Sequence, residues 1–125
     1  MENKWKNKNF KEALKNSLNG IKYTFINGKN FQIQLVMAII AVIAGIIFKI
    51  SFFEWSIIII LVFLVLFAEM INTVVETVVN MITNEYNENA KIAKDISAGA
   101  VTLCALCSVI VGLIILIPKL LELIK

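Results

Sequence analysis

The sequence predicts an all-helical membrane protein, with an amphipathic surface helix followed by three transmembrane helices. Of its 125 residues, 59% are hydrophobic, whereas soluble proteins average about 45–50%. Three apolar stretches are each about 18 residues long or longer, which is the length that crosses the core of a bilayer. Because so short a chain cannot bury all three stretches in a core of its own, we expect a single membrane domain over residues 1–125.

The first predicted element is an amphipathic surface helix over residues 1–28. Apolar residues recur along it at helical spacing, with lysines between them: Phe10, Leu14, Leu18, Ile21 and Phe25. Such a helix lies in the membrane interface, where its lysines are attracted to anionic lipid headgroups. Asn27 and Gly28 are a turn signal that ends it. Because no separate soluble domain accompanies this basic segment, we expect no nucleic-acid partner.

Three predicted transmembrane helices follow, at residues 31–48, 55–82 and 90–117. The first is about 27 Å long at about 1.5 Å per residue, just enough to cross the bilayer core. The second is about 42 Å long and the core is about 30 Å thick, so its polar C-terminal part should reach the headgroup layer. Pro118, the only proline in the sequence, is expected to end the third helix.

The distribution of lysines sets the expected orientation. Seven of the 12 basic residues, all of them lysines, precede the first span: Lys4, Lys6, Lys8, Lys11, Lys15, Lys22 and Lys29. The turn at residues 49–55 carries only Lys49. By the positive-inside rule the N-terminus is expected in the cytoplasm, which places that turn outside and the loop at residues 83–95 inside.

The second predicted span carries polar residues on one helix face: Glu69, Asn72, Thr73, Glu76 and Asn80. A charged side chain at bilayer depth costs several kcal/mol, so an acid there is a functional-site hypothesis. A proton-coupled transporter also keeps such an acid. It would need a polar path to the outer side, which residues 56–67, apolar apart from Ser56, do not offer.

Carboxylates and lysines must supply any acid–base or metal chemistry, because the chain has no histidine. Mg²⁺ takes one or two protein carboxylates together with substrate phosphates, and a lysine supplies a positive charge for phosphate. A second carboxylate, shielded from water, can accept a proton from a hydroxyl. These groups form a minimal phosphoryl-transfer site. The sequence lacks the glycine-rich phosphate loop and the signature set of soluble kinases, which excludes a soluble-kinase fold.

Cys104 and Cys107 have the spacing of a redox or zinc-binding pair. They lie inside an apolar helix, and the sequence has neither a second cysteine pair nor a histidine to complete a zinc site. We interpret them as small packing residues.

Two segments carry a resemblance to a known family. Residues 68–79 (AEMINTVVETVV) and 90–101 (AKIAKDISAGAV), with Glu85 and Tyr86 between them, resemble the signature of the small bacterial integral-membrane diacylglycerol kinases. That family includes the undecaprenol kinases of Gram-positive bacteria. The resemblance covers nearly the whole chain and extends to residues 19–23, 30–31 and 112–119.

The resemblance implies a homotrimer of three-span subunits, each with a surface helix, in the bacterial inner membrane. It also implies a kinase that uses ATP and Mg²⁺ to phosphorylate a lipid hydroxyl on the cytoplasmic side. We expect undecaprenol as the first substrate and diacylglycerol as the second, because the closing segment resembles the Gram-positive branch.

The resemblance also implies roles for individual residues. Glu69 is expected to be the general base on the lipid alcohol, with Asn72 supporting it and Ala98 contacting the lipid. Glu76 is expected to bind the metal that bridges the phosphates of ATP. The remaining nucleotide-binding residues are expected to be Glu85, Tyr86, Asn87, Lys94 and Asp95.

The chain departs from the family pattern near the metal. Gly28 stands where the family usually has a Glu that shares the metal, and Asn80 stands where it usually has an Asp. Gln32 and Gln34 replace an Arg and a His. Because fewer acids attract Mg²⁺ less strongly, two interpretations remain open: an active lipid kinase, or a weakened or non-catalytic paralogue.

Overall fold

A computed structural model describes residues 3–125 and contains four α-helices within that range. They are α1 (Phe10–Asn27), α2 (Lys29–Ile47), α3 (Phe52–Ile82) and α4 (Glu88–Ile124). Met1 and Glu2, at the start of the predicted surface helix, lie outside the described residues, as does the side chain of Lys29. The prediction of an all-helical fold with three long apolar helices is confirmed.

The first helix begins later than the sequence predicted, because Asn9 caps it. The Asn9 side-chain oxygen accepts a hydrogen bond from the backbone N–H of Glu12 at 2.8 Å, which satisfies one of the unpaired donors at the start of the helix. At the other end, the N–H of Gly28 donates to the carbonyl oxygen of Thr24 at 2.7 Å. Since α2 starts at the next residue, Gly28 both closes α1 and opens α2.

A tight turn joins α2 to α3. Lys49 reverses the chain with a φ of 51°, in the left-handed region that residues other than glycine seldom adopt. Ser51 and Glu54 then form a capping box, in which Ser51 Oγ accepts from the Glu54 N–H at 3.2 Å and Glu54 Oε2 accepts from the Ser51 N–H at 2.7 Å. This box starts α3 at Phe52, before the predicted start at Trp55.

The last helix continues through Pro118 to Ile124, so the prediction that Pro118 ends the third span is wrong. Proline has no N–H, which leaves the carbonyl of Ile114 without its usual helical partner. Membrane helices tolerate this loss where neighbouring helices and local adjustments offset it. Here Lys119 forms an ion pair with Glu54, Nζ to Oε2 at 3.2 Å, and this pair holds that part of α4 against α3.

The helices share only a small apolar core. The most extensive contact is between α3 and α4, while α2 packs on α3 and α1 touches both α2 and α3. Three apolar side chains form the core cluster, namely Ile50, Ile58 and Ile115. Most large apolar side chains of the long helices remain exposed, as expected where lipid covers them.

Candidate functional site

Glu69 is a buried acid within α3, with 5% of its surface exposed. Gln34 of α2 donates from Nε2 to Glu69 Oε2 at 3.4 Å, and the Thr73 hydroxyl donates to the Glu69 carbonyl oxygen at 3.0 Å. Among the described side chains, no basic group forms an ion pair with Glu69. A buried carboxylate without a cationic partner lowers stability, so packing does not explain this residue.

Asn72 links Glu76 to α4. Its Nδ2 donates to Glu76 Oε1 at 3.2 Å, and its Oδ1 lies 2.7 Å from the hydroxyl of Ser97, which donates to it. Asn72 itself is buried, with 4% of its surface exposed. The two hydrogen bonds fix the orientation of the amide, because one end must accept and the other must donate.

A cavity of about 280 Å³ lies beside this acid face, between the C-terminal part of α1 and α3. We call it the acidic cavity; it is lined by Tyr23, Thr24, Asn27, Gly28, Asn30, Glu69, Thr73, Glu76, Thr77 and Asn80. Glu69 forms its buried part and Glu76 its exposed part. The cavity therefore offers one water-shielded carboxylate and one accessible carboxylate on the same helix.

A second cavity, of about 470 Å³, lies where α3 passes into α4. We call it the loop cavity; it is lined by Val79, Asn80, Thr83, Asn84, Glu85, Tyr86, Asn87, Ala90, Lys91 and Lys94. The loop is held by local bonds. The Asn87 side-chain oxygen accepts from the Ala90 N–H at 3.1 Å and caps α4, and the N–H of Glu85 donates to Thr83 Oγ1 at 3.1 Å.

Residues 15–116 match the family described as prokaryotic diacylglycerol kinase. The chain belongs to this family. Over 101 residues it is 40% identical to an undecaprenol kinase of Bacillus subtilis, covering 81% of this chain and 82% of the relative. Over 105 residues it is 35% identical to a diacylglycerol kinase of Synechocystis sp., covering 83% of this chain and 60% of that relative.

A diacylglycerol kinase of Helicobacter pylori is 31% identical over 89 residues, covering 71% of this chain and 70% of the relative. The family resemblance predicted from the sequence is thus confirmed. Together with three helices long and apolar enough to cross a membrane, membership of the prokaryotic diacylglycerol kinase family identifies the chain as a bacterial membrane protein.

The predicted site residues differ in which of the two cavities they line. Glu69 and Glu76 line the acidic cavity. Asn72, which the resemblance implied would support Glu69, instead donates its side-chain hydrogen bond to Glu76. Four predicted nucleotide-binding residues line the loop cavity: Glu85, Tyr86, Asn87 and Lys94.

Asp95 and Ala98 line neither cavity. The Asp95 carboxylate is held by Lys91 on its own helix, Nζ to Oδ2 at 2.5 Å. Ala98 is exposed on α4.

Sequence reasoning overlooked several residues of this site. Tyr23, Thr24 and Asn27 line the acidic cavity from α1, and nothing in their local sequence indicates which α3 residues they face. Ser97 follows Lys94 by one helical turn, so its place beside the polar face was open to prediction from spacing. Gln34 was singled out only as a departure from the family pattern, and its bond to Glu69 requires the packing of α2 on α3.

The acidic cavity suits a divalent cation that arrives with phosphates better than one held by protein ligands alone. Within residues 3–125, no three His, Cys, Asp or Glu side chains lie close enough together to hold a metal ion. Mg²⁺ commonly takes one or two carboxylates plus substrate phosphates, and Glu76 is an accessible carboxylate. Gly28 lines the cavity but adds no ligand, because glycine has no side chain.

Proposed function

We propose that this chain is a lipid kinase that transfers the γ-phosphate of ATP to the hydroxyl group of a membrane lipid. The observation that carries the proposal is the buried carboxylate of Glu69 in a cavity that adjoins a second cavity containing Lys94. Membership of the prokaryotic diacylglycerol kinase family supports the same reaction.

In this proposal Glu69 is the general base. It removes the proton from the lipid hydroxyl as the hydroxyl oxygen attacks the γ-phosphorus, and ADP leaves with the electrons of the broken phosphorus–oxygen bond. A positioned base of this kind contributes about 10²–10⁴-fold to a rate. Because Asn72 is held by Ser97 and donates to Glu76, it keeps the accessible carboxylate oriented towards the phosphates.

Charge neutralisation is the second part of the mechanism. Glu76 would bind Mg²⁺ together with the phosphates, and that cation would offset charge on the transferring group. Lys94 would supply a second positive charge from α4. The loop residues Glu85, Tyr86 and Asn87 would contact the nucleotide. Phosphoryl transfer depends mainly on positioning and electrostatic stabilisation, which such an arrangement provides without a glycine-rich loop.

Undecaprenol is the first-choice acceptor and diacylglycerol the second. The undecaprenol kinase of Bacillus subtilis is 40% identical to this chain, whereas the two diacylglycerol kinases are 35% and 31% identical. The acidic cavity holds a buried acid beside apolar helices, so it would take the hydroxyl end of the lipid while the hydrocarbon chain stays in the bilayer.

The proposal includes a topology and an assembly. Residues 1–125 form one membrane domain of the bacterial inner membrane, with α1 on its surface and both the N-terminus and the site on the cytoplasmic side. The lysine-rich start of the chain supports this orientation. Three subunits associate, and the apolar surface left exposed on the long helices supports such contacts. Chemical crosslinking of the protein in native membranes tests for the trimer.

A weakened or non-catalytic member of the family is the second candidate. Gly28 favours this candidate, because it stands where the family usually has a Glu that shares the metal. A side chain would fit at this position only if the α1–α2 joint shifted. The neutral Asn80 removes a further acid from the cavity.

The deciding experiment incubates purified protein in mixed micelles with labelled ATP, Mg²⁺ and either undecaprenol or diacylglycerol. We expect labelled undecaprenyl phosphate to form fastest. If neither lipid is labelled while the protein remains folded, the second candidate stands instead.

A further inference from the structure

The acidic cavity has a buried end and an exposed end. At the buried end, Thr24 and Glu69 are each 5% exposed, and Gly28 and Thr73 are partly buried. The other lining residues are exposed: Tyr23, Asn27, Asn30, Glu76, Thr77 and Asn80. A lipid hydroxyl that reaches the Glu69 carboxylate therefore enters the buried end.

The buried end can accept hydrogen bonds but has no free group to donate one. The Thr24 hydroxyl donates to the carbonyl oxygen of Gly20 at 3.0 Å, and the Thr73 hydroxyl donates to that of Glu69 at 3.0 Å. The N–H of Gly28 donates to the Thr24 carbonyl oxygen at 2.7 Å. Because a hydroxyl carries a single proton, each threonine presents only oxygen lone pairs to a ligand.

The membrane side of Glu69 adds no free N–H or O–H group from the described side chains. Residues 35–47 of α2 and 57–68 of α3 contain no polar side chain. On α4, the hydroxyls of Thr102 and Ser108 donate to carbonyl oxygens of their own helix, at 3.1 and 2.9 Å. A lipid that extends from Glu69 into the bilayer thus meets no donor for an acceptor of its own.

Lipid alcohols differ in how well they suit such a site. A polyprenol carries one hydroxyl, which donates to the Glu69 carboxylate, and it has no other polar group. In diacylglycerol, an ester is attached to the carbon next to the one that bears the hydroxyl, so its carbonyl oxygen enters with the hydroxyl. Burying that acceptor without a donor is unfavourable.

We propose that Thr24 and Thr73 are specificity-determining residues, which make the site reject the ester carbonyl of a lipid alcohol. They act by keeping their hydroxyl protons within their own helices. The site then favours a lipid whose hydroxyl is its only strong hydrogen-bonding group. This inference rests on the proposed function for the reaction, and it adds the chemical group by which acceptor lipids are distinguished.

The test measures transfer of labelled phosphate from ATP by the purified full chain in mixed micelles with Mg²⁺. The acceptors are undecaprenol, a diester diacylglycerol, and the diether analogue with the same chains and the same hydroxyl. An ether oxygen is a weaker acceptor than an ester carbonyl. For the natural protein we therefore expect kcat/KM for the diether to exceed that for the diester by about tenfold, the effect of one unpaired buried acceptor.

Asparagine variants supply the donor that the buried end lacks. Thr73→Asn should lower the diether-to-diester ratio at least about threefold, because its amide N–H groups can bind the ester carbonyl. Thr24→Asn makes the same change from α1, so the test remains available if one variant does not fold.

Two controls separate this effect from a change in packing. Thr73→Val removes the hydroxyl without adding a donor and should leave the ratio unchanged, whereas a hydroxyl that did bind the ester would make the ratio rise. Ser56→Asn adds an amide at an exposed residue near the other end of α3, outside both cavities, and should also leave it unchanged.

Equal kcat/KM values for the diether and the diester in an active natural protein overturn the inference and leave the lipid kinase standing. Unchanged ratios in folded Thr73→Asn and Thr24→Asn overturn it as well. A folded natural protein that phosphorylates none of the three lipids contradicts the proposed function, and the inference fails with it.

Discussion

The hydroxyl of Ser97 on α4 lies 2.7 Å from Oδ1 of Asn72 on α3 and donates a hydrogen bond to it. The same hydroxyl lies 2.9 Å from the carbonyl oxygen of Lys94, so its single proton has two acceptors, of which Asn72 is the nearer. The bond turns Nδ2 of Asn72 towards Glu76, which accepts from it at 3.2 Å. The orientation of the accessible carboxylate thus depends on a residue of another helix.

Ser97→Ala should therefore lower the rate of lipid phosphorylation by about three- to tenfold, the effect of losing one neutral hydrogen bond that positions a reacting group. Ser108→Ala is the matched control, because the Ser108 hydroxyl donates to the Cys104 carbonyl of its own helix, at 2.9 Å, and bonds to no other helix among the described residues. Initial rates of both variants in mixed micelles test this. Equal rates for the two variants would show that the Ser97 hydroxyl does not help to position Glu76.

Gln34 is expected to affect catalysis more than stability. Its bond to Glu69 is long, at 3.4 Å, and its own oxygen Oε1 is buried with no hydrogen-bond partner among the described residues. Gln34→Met removes this unsatisfied oxygen, which favours stability, and also the long hydrogen bond to Glu69, which opposes it, so the two effects largely offset each other. Gln34→Met should thus lower kcat about three- to tenfold by releasing Glu69, with little change in thermal stability. A destabilised variant with unchanged kcat would show that Gln34 is structural.

Gly28 is expected to be intolerant of any side chain. A Cβ there would lie 2.5 Å from the Thr24 carbonyl oxygen and 3.2 Å from Phe31 Cβ, whereas a Cβ at Gly20 meets nothing within 4 Å. Gly28→Ala should destabilise the protein by about 1–3 kcal/mol, as overpacking does. Gly20→Ala, the control on the exposed surface of α1, should be neutral or stabilising by about 0.5–1 kcal/mol.

The measurement is the detergent-denaturation midpoint of each glycine variant. Equal midpoints would mean that the α1–α2 joint accommodates a Cβ at position 28 without loss of stability. In that case, the Gly28→Glu, Asn80→Asp double variant becomes a fair test of whether the natural site is impaired, with a large gain in kinase activity as the sign of impairment.

Glu54 is expected to stabilise the end of the bundle opposite the site. It closes the capping box with Ser51 and also binds Lys119 of α4 at 3.2 Å. Glu54→Gln removes the ion pair and weakens the box, and should cost about 1 kcal/mol of stability. Thermal unfolding in detergent should show a lower midpoint while kcat stays unchanged. A fall in kcat at unchanged stability would contradict a purely structural role and show that this end of the bundle affects the reaction.

The sequence predicted the parts of this molecule that depend on periodicity. The apolar runs gave three helices long enough to span a membrane, and helical spacing placed Glu69, Asn72 and Glu76 on one face. The end of α4 was mispredicted, because a rule about local backbone chemistry at Pro118 took no account of the ion pair that holds the next residue to α3.

Contacts between helices could not be predicted in the same way. Gln34 meets Glu69 across 35 residues and Ser97 meets Asn72 across 25, and spacing along one helix contains no information about such pairs. Asn80 is a similar case. The sequence shows that it stands where the family usually has an Asp, but not what surrounds it. Its position at the junction of two cavities follows only from how α3, α4 and the loop between them fold together.

The central claim is that the buried Glu69 carboxylate removes the proton from a lipid alcohol during phosphoryl transfer. The most direct test compares Glu69→Gln with Glu122→Gln, an exposed acid near the end of α4, by following labelled phosphate from ATP to undecaprenol. We expect Glu69→Gln to lose at least about 100-fold in rate and Glu122→Gln to match the natural protein. Turnover at the natural rate in Glu69→Gln would contradict the account.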